Sequence, residues 1–237
     1  MATIKEPAAE IAPLPNADGS VIFSYAGFKV IAAANGPVET LKREEYAYEA
    51  LVDVIVRPAA GVGGQDPTPS TPSRLVLLPL GLIIHGPPSL RGLDGEVNLP
   101  IIPALLHAAI LALLSGAIPL KGIATAALLV IPGESSDGKV VVDPTAAQIA
   151  HARSVHVLGF TSEDDLLLAE SEGQFSLGEW EDVVTAARQV CLQSPEEMSI
   201  DDTEAASDYA RSADMKHFIR TVMASKVAAD LHWKISV

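Results

Sequence analysis

The sequence predicts an α+β fold in which mixed β-sheets pack against α-helices. Short apolar runs recur along the chain between Gly, Pro, Asn and Asp residues, a pattern typical of strands. Other segments show helical patterns, and one of these is apolar on nearly every side. The 237 residues are 49% apolar, which is enough to build a substantial core in one large domain or two small ones.

Eight segments have the composition of strands. They cover residues 21–25, 28–34, 51–58, 74–86, 122–131, 139–142, 153–160 and 165–173. Ala26-Gly27 separates the first two and predicts a hairpin. Because proline cannot donate to a sheet, Pro79 favours an edge or a bulge in the fourth. Residues 59–74, rich in Gly, Pro, Ser and Thr, predict a long loop.

Three segments have helical patterns, and they cover residues 103–114, 176–193 and 209–231. Gly116 is expected at the C-terminal end of the first, which should be buried between layers. Ser176 and Glu179 have capping-box spacing and start the second. Its inner face is expected to include Trp180, Val184, Ala187 and Cys191. We therefore divide the chain into a tail (1–15), one domain (16–193), and an acidic linker with a C-terminal helix (194–237).

Residues 99–131 are apolar over a length that can span a bilayer, so a membrane helix is the alternative to a buried core. Five residues interrupt the run: Pro100, Pro103, Gly116, Pro119 and Lys121. No cluster of Lys or Arg flanks it to set an orientation. The pattern therefore favours a core helix followed by a core strand, with no membrane contact.

The charge balance restricts the partners of the chain. Sixteen Lys and Arg against thirty Asp and Glu give a formal net charge of −14, which repels nucleic acid and acidic membranes. RNA contact would need a local basic patch or the charges of a partner. Four basic residues in predicted loops, each more simply explained as a solubilising charge or an interface ion pair, are Lys42, Arg43, Arg74 and Arg91.

The sequence contains no phosphate-cradling glycine loop, Cys/His metal array or nucleophile elbow. His151 and His156 are five residues apart, which fits neither helical ligand spacing nor one face of a strand. His107 is expected to be a hydrogen-bonded core residue rather than a ligand. Cys191, the one cysteine, is expected to be a small core residue in an intracellular protein. Spacing does not exclude a hydrolase triad, but no Ser or Cys stands in an activated context.

Five segments carry a resemblance to a known family. In order they are "DGSVIFSYAGFKVIAAANGPVE", "LVDVIVRPAAGVGG", "LLHAAILALLSGAIPL", "GKVVVDPTAAQ" and "SEGQFS". Together they resemble the landmarks of RNase PH-fold proteins over residues 12–193, and most of all the ring subunits of the eukaryotic RNA exosome. Within that group the chain is similar to the small, non-catalytic subunit grouped with the archaeal catalytic-type ring protein.

The resemblance implies a fold of repeated βαβα-like halves and a place in a six-membered ring around an RNA channel. It also implies RNA-binding cap proteins on one face of the ring and an attached processive exoribonuclease. Active members of the family use inorganic phosphate to cleave the 3′ nucleotide from RNA. Such chemistry needs arginines that hold the phosphate and carboxylates that bind a divalent metal.

Most of the acids that the resemblance implies for an active site are missing. Active members carry an Asp at a strand end, an acidic pair five and six residues later, and a further Asp six beyond. Here Asp143 holds the first position, but Gln148, Ile149 and Val155 hold the others. Because aliphatic side chains cannot ligate a metal, the segment is interpreted as the scaffold of an active site without its metal-binding acids.

Two more features separate the chain from active members. Asp143, followed by Pro144 and Thr145, has the form of a helix N-cap with proline at the first helical position, rather than that of a catalyst. The arginine-bearing helix that the resemblance places after the "VRP" strand has no counterpart, since residues 65–74 are typical of a loop.

We therefore expect a non-catalytic subunit of the exosome core ring that scaffolds the ring and the RNA channel for 3′-to-5′ RNA processing and degradation. No catalytic, cofactor-binding or metal-binding residue is expected, and no cofactor. The expected partners are other RNase PH-like ring subunits, RNA-binding cap subunits, the processive exoribonuclease, and RNA in the assembled channel. The expected location is the nucleus and nucleolus, and also the cytoplasm. The alternatives are a phosphorolytic 3′-exoribonuclease with an altered site and a free-standing acidic adaptor.

Overall fold

The computed structural model describes most of the chain in separate segments. They are residues 6–36, 52–58, 80–86, 99–133, 140–192 and 214–235. In 52–58 and 80–86 the description concerns the backbone, together with the exposed side chain of Val54. The predicted 59–74 loop, Pro79 and the acidic stretch 195–208 lie outside the described residues.

The first sheet has five strands in the order β1-β2-β3-β5-β4. They are β1 (Ala8–Ile11), β2 (Gly19–Tyr25), β3 (Phe28–Asn35), β4 (Val52–Pro58) and β5 (Leu80–Gly86). Only β4 and β5 pair in parallel, so the sheet is mixed, as predicted. The hairpin between β2 and β3 is confirmed. Ala26 and Gly27 have φ angles of 53° and 84°, the left-handed pair that a two-residue hairpin turn requires.

The second sheet is antiparallel and has the order β7-β6-β8-β9. Its strands are β6 (Ala124–Pro132), β7 (Val141–Val142), β8 (Ala152–Thr161) and β9 (Leu166–Gly173). Strand β6 is buried along nearly its whole length, whereas β9, at the edge, is exposed along nearly its whole length. One side of this sheet therefore ends in a long strand that faces solvent.

Five α-helices and a short 3₁₀ turn complete the described segments. The turn covers Leu99–Ile101, and the helices are α1 (Ile102–Ser115), α2 (Ala146–Ala150), α3 (Leu177–Leu192), α4 (Met215–Asp230) and α5 (His232–Ile235). None of the helices in these segments has the length and hydropathy that a membrane crossing needs. The apolar run 99–131 is instead a buried helix followed by a buried strand, as its prolines and glycine predicted.

Helix α1 lies between the two sheets, against β2 and β3 on one side and β6 on the other. It has no charged residue, and Ala108 and Leu111 are fully buried with Val21 and Phe23 of β2 in the largest apolar cluster. Each large aliphatic side chain buried in this way contributes roughly 1.5–3 kcal/mol. The predicted end of the helix is confirmed, because the Gly116 N–H donates to the Ala112 carbonyl at 3.1 Å.

Helix α3 covers the other face of the second sheet. Its predicted capping box is confirmed, since the Ser176 N–H donates to Glu179 Oε2 at 2.7 Å and the Glu179 N–H donates to Ser176 Oγ at 3.3 Å. These bonds and the pairing with Arg153 lower the pKa of Glu179. The predicted inner face is correct except that Val183, not Val184, is the fully buried valine. The buried set is Val183, Ala186, Ala187 and Cys191, with Trp180 and Val184 partly buried.

Both ends of the described chain contact the central fold, and the predicted C-terminal helix is present as α4. The expected tail contains strand β1, which pairs antiparallel with β2 at the sheet edge. Helix α4 buries Met215 and Ile219 in the same cluster as α1, while its second half is exposed. A division of the chain at residues 15 and 193 stays a prediction, although both flanking segments contact the central fold.

Gly19, at the start of β2, is the point where the first sheet meets the end of α1. A Cβ atom there would lie 2.2 Å from the Ala112 carbonyl oxygen and 2.4 Å from the Gly116 nitrogen. Both neighbours are backbone atoms, which cannot rotate away as a flexible side chain can. The contact between β2 and α1 therefore requires glycine at this position.

We expect Gly19→Ala to lower the free energy of unfolding by about 3 kcal/mol or more, at the upper end of overpacking effects, because the methyl group collides with backbone. Guanidinium unfolding followed by circular dichroism measures the change. Gly178→Ala in α3 is the matched control, since no atom lies within 4 Å of its added Cβ. That control should gain up to about 1 kcal/mol from helix propensity. Equal unfolding midpoints for the two variants would contradict the close approach.

Candidate functional site

The segment after β7 corresponds to the active-site region that the resemblance implied. Helix α2 in this segment is capped by Thr145, and the interpretation of Asp143 as its N-cap is wrong. The Gln148 N–H donates to Thr145 Oγ1 at 3.4 Å, and the Thr145 N–H donates to Gln148 Oε1 at 2.7 Å. This reciprocal capping box uses the hydroxyl two residues beyond the acid, so the carboxylate of Asp143 has another role.

Asp143 joins the two sheets. Its φ angle is 49°, its N–H donates to the Leu128 carbonyl at 3.0 Å, and its side chain is hydrogen-bonded to the hydroxyl of Tyr25. Burial, followed by the charge and hydrogen bond of Asp143, raises the pKa of Tyr25. The phenol therefore stays protonated and donates to the carboxylate. Because Tyr25 ends β2 and Asp143 follows β7, this hydrogen bond connects the first sheet to the second.

His107 is the second polar contact between the layers, and its predicted core role is confirmed. The Ala126 N–H donates to His107 Nε2 at 3.0 Å, which requires a neutral ring with its proton on Nδ1. Burial lowers the pKa of His107 to about 3. The rings of Phe23 and Tyr25 approach it edge-on with centroids 6.0 and 6.2 Å away. The imidazole is thus a fixed, uncharged acceptor for the backbone of β6.

A cavity of about 10 Å³ lies among these groups. Its lining includes Tyr25, His107, Thr125, Asp143, Cys191 and Met215. That volume corresponds to about one water molecule, so neither a phosphate nor a nucleotide fits. Burial raises the pKa of the Cys191 thiol to about 11, which keeps it protonated and a poor nucleophile. Its prediction as a core residue is therefore confirmed.

Two of the three positions at which the resemblance implied further acids contribute to a small apolar cluster on the second sheet. Ile149 and Val155 are partly buried and pack against Leu128 and Val157 in this cluster. Its other members are Leu99, Ile102 and Leu168. Because these side chains stabilise the junction of the sheet with α2 and the 3₁₀ turn, an acid at either position would lose water without gaining a partner.

His156 forms a polar contact that the sequence did not reveal. It is fully buried, with Nε2 2.9 Å from Ser154 Oγ and Nδ1 2.8 Å from Ser171 Oγ. Phe175 packs edge-on against its ring at a centroid distance of 4.8 Å. The alternation of Ser154 and His156 on one face of β8 was the available signal, but Ser171 is known only once β9 pairs with β8. The contact connects the edge strand to the sheet.

The remaining candidate residues do not assemble into a site in the described segments. His151 is exposed and His156 is buried. Across those segments, no group of three or more His, Cys, Asp or Glu side chains is placed to hold a metal ion. The four basic candidates for RNA contact, Lys42, Arg43, Arg74 and Arg91, lie outside the described residues.

Solved structures show which fold class this is. A crystal structure of rice (Oryza sativa) Rrp46 superposes with a TM-score of 0.65 over 94% of this chain and 96% of that one, at 19% identity. The Archaeoglobus fulgidus exosome with RNA bound to the active site gives 0.56 over 79% of this chain and 85% of that one, at 11% identity. An archaeal exosome core gives 0.55 over 79% and 83%, also at 11%. The fold is that of RNase PH-like exosome subunits.

Sequence similarity then places the chain within that class. It is 30% identical over 202 residues to exosome complex component RRP46 of Saccharomyces cerevisiae, covering 78% of this chain and 90% of the yeast protein. The chain belongs to the RRP46 family of exosome components. No family model matches it.

The buried imidazole makes stability sensitive to acid. The pKa of His107 is about 3 in the folded chain, against about 6.5 when unfolded, so the unfolded state binds a proton that the folded state excludes. The stabilisation is complete above pH 6.5 and is lost as the pH falls towards 3. Between pH 7 and pH 5, proton uptake by this single group in the unfolded state should lower the free energy of unfolding by about 2 kcal/mol.

His107→Gln keeps an acceptor for the Ala126 N–H but cannot take up that proton. We expect urea unfolding at pH 7 and pH 5 to show a smaller loss of stability for the variant, by about 2 kcal/mol. The comparison of slopes remains informative even if the variant is less stable at both pH values. If the free energy of unfolding falls equally with pH in the two proteins, the folded chain binds the His107 proton as readily as the unfolded chain, and the prediction is wrong.

Proposed function

We propose that the chain is a non-catalytic, structural subunit of an exosome core ring. One observation carries the proposal: two positions of the active-site segment hold Ile149 and Val155, and both side chains pack in an apolar cluster. A divalent metal at a transferring phosphoryl group needs several oxygen ligands close together. This segment supplies aliphatic groups where those ligands would stand.

The polar residues left in the segment are engaged in structural contacts. Gln148 accepts from the Thr145 N–H in the capping box of α2. Asp143 is hydrogen-bonded to Tyr25 across the sheets. Each of these contacts stabilises the backbone around the former site, so the segment retains its shape without its chemistry. These contacts support a subunit that is kept for its surface and its place in an assembly.

The net charge fits a supporting role in RNA handling. At −14 the chain repels a polyanion over distances comparable to the Debye length, about 8 Å at physiological ionic strength. RNA in a channel beside this subunit would therefore be attracted by basic groups of other subunits. We propose that the partners are RNase PH-like ring subunits, RNA-binding cap subunits and a processive exoribonuclease that degrades RNA from 3′ to 5′. The corresponding location is the nucleus and nucleolus, and also the cytoplasm.

A phosphorolytic 3′-exoribonuclease with an altered site is the second candidate function. The observation in its favour is Asp143, which keeps the position of the acid at the strand end. Its engagement with buried Tyr25 weighs against it, because that hydrogen bond uses an oxygen that a metal would need. A direct assay distinguishes the two functions.

We expect the purified chain, incubated with single-stranded RNA, inorganic phosphate and Mg²⁺, to release no nucleoside diphosphate above background. Chromatographic separation of the products measures this, with an active phosphorolytic exoribonuclease as the positive control. Asp143→Asn should give the same background as the wild type. Phosphate-dependent release by the wild type that Asp143→Asn abolishes would instead establish the enzyme.

Assembly is tested with the full chain in its own cell. We expect the tagged chain to co-purify with several RNase PH-like proteins and RNA-binding cap proteins, identified by mass spectrometry. At high concentration the isolated chain should aggregate, and co-expression with an RNase PH-like neighbour should keep it in solution. A stable monomer that recovers none of these proteins would rule out the ring function.

A further inference from the structure

The edge strand of the second sheet carries an exposed apolar strip. Here "the β9 ridge" means residues 166–177, which comprise β9 and the turn into α3. Four of its five large apolar side chains are exposed, by 51% at Leu166, 53% at Leu167, 41% at Phe175 and 75% at Leu177. Nine large apolar side chains are exposed in the described segments, so nearly half of them lie within these twelve residues.

An open edge of this kind is a binding surface in physical terms. Half of the backbone N–H and C=O groups of an edge strand point away from its sheet and remain available for pairing. Folded proteins usually shield such an edge with proline, charged side chains, a bulge that twists it away or a covering loop. Strand β9 carries two exposed glutamates, Glu170 and Glu172, and one register shift opposite Gly159 and Phe160. The β9 ridge has no proline, and its eight-residue strand is exposed along nearly its whole length. Leu166 and Leu167 are exposed at the start of the strand, and Phe175 and Leu177 are exposed just beyond its end. Large exposed apolar side chains grouped along an open edge favour an interaction site.

The ridge is rigid before any partner arrives. Ser171 is hydrogen-bonded to the buried ring of His156, which also packs against Phe175. At Gly173, with φ 101°, a Cβ would lie 2.4 Å from the Arg153 carbonyl oxygen, so β9 approaches β8 too closely for any other residue. A preformed edge loses little conformational entropy on binding, which favours association.

The charge around the ridge identifies the kind of partner. Residues 161–182 contain eight Asp and Glu and no Lys or Arg. Three of these acids are paired with bases from other elements: Glu163 with Lys121, Asp164 with Arg188 and Glu179 with Arg153. Glu170 and Glu172, on the strand itself, are exposed. RNA is repelled by such a surface, and two ridges of identical chains would repel each other.

We propose that the β9 ridge is the docking surface for a neighbouring RNase PH-like ring subunit, whose contact face is apolar and bordered by Lys or Arg. The inference rests on the ring function proposed above. The apolar side chains supply the buried contact, and the edge backbone of β9 is covered by the neighbour. The exposed glutamates select a basic partner over a second copy of this chain.

The first test introduces charge into the apolar strip within the co-expressed assembly. Leu167→Arg with Leu177→Arg should lower recovery of RNase PH-like neighbours at least tenfold. Leu14→Arg, at an exposed leucine outside the ridge, is the matched control and should leave recovery unchanged. Unfolding midpoints of all variants, measured on the soluble chains, separate loss of docking from loss of folding.

The second test reverses charge without touching the apolar strip. Glu170→Lys with Glu172→Lys should lower recovery of the neighbour several-fold, because it removes the attraction for the basic border. Glu6→Lys with Glu10→Lys makes the same change of net charge at and beside β1, an edge strand of the first sheet, and should have no effect. If both double variants lower recovery of the neighbour equally, the effect comes from net charge alone, and the β9 ridge is not the docking surface.

The third test needs no variant. Amide hydrogen exchange should slow at least tenfold in the assembly, relative to the isolated wild-type chain, for those residues of 166–173 whose N–H groups point away from β8. Unchanged exchange in the assembly, or protection already present in the isolated chain, would overturn the proposal. So would a dimer of this chain alone, seen by sedimentation and abolished by Leu167→Arg with Leu177→Arg.

Failure of the ridge and failure of the ring function give different results. If the wild-type chain recovers no RNase PH-like protein, the proposed function itself is wrong. If the wild type assembles, and the ridge variants assemble as well as Leu14→Arg, the ring function stands and the ridge is not the interface.

Discussion

Helix α1 sets the principal constraint on the fold, because it has no polar face. A helix without charged residues is stable in water only when apolar surface covers every side of it. One sheet covers a single side, so two sheets are required, with β2 and β3 on one side and β6 on the other. The first sheet precedes α1 in the chain, and the second follows it.

Burial of the helix determines what polar groups at its interfaces must do. His107 faces β6 and satisfies the Ala126 N–H, so a buried donor is paired rather than orphaned. Tyr25 and Asp143 meet between the sheets in the same way. The carboxylate of Asp143 accepts a hydrogen bond from the Tyr25 hydroxyl, and this bond explains why an acid occupies the position. Asp143 therefore has a structural role that does not depend on catalysis.

Features set by neighbours in sequence were predictable, and features set by pairing across the fold were not. The Ala26-Gly27 hairpin, the Ser176 capping box and the apolar helix α1 depend on spacing within a few residues. The cap of α2 is also local, since Thr145 and Gln148 have capping-box spacing, and the preference for Asp143 overlooked that signal. The His156–Ser171 contact and the exposed ridge, in contrast, depend on which strand became the edge.

The acids of this chain are distributed in a way that argues for an assembled rather than a catalytic function. In the segment after β7, Ile149 and Val155 are partly buried and pack in an apolar cluster of the second sheet. At the edge of the same sheet, Glu170 and Glu172 remain in water beside exposed leucines. Carboxylates in water are free to attract the cations of another protein, whereas a metal site must hold them close together against their repulsion. The second sheet thus has an apolar centre, and its β9 edge carries exposed glutamates and leucines. This arrangement suits the binding of a neighbouring subunit.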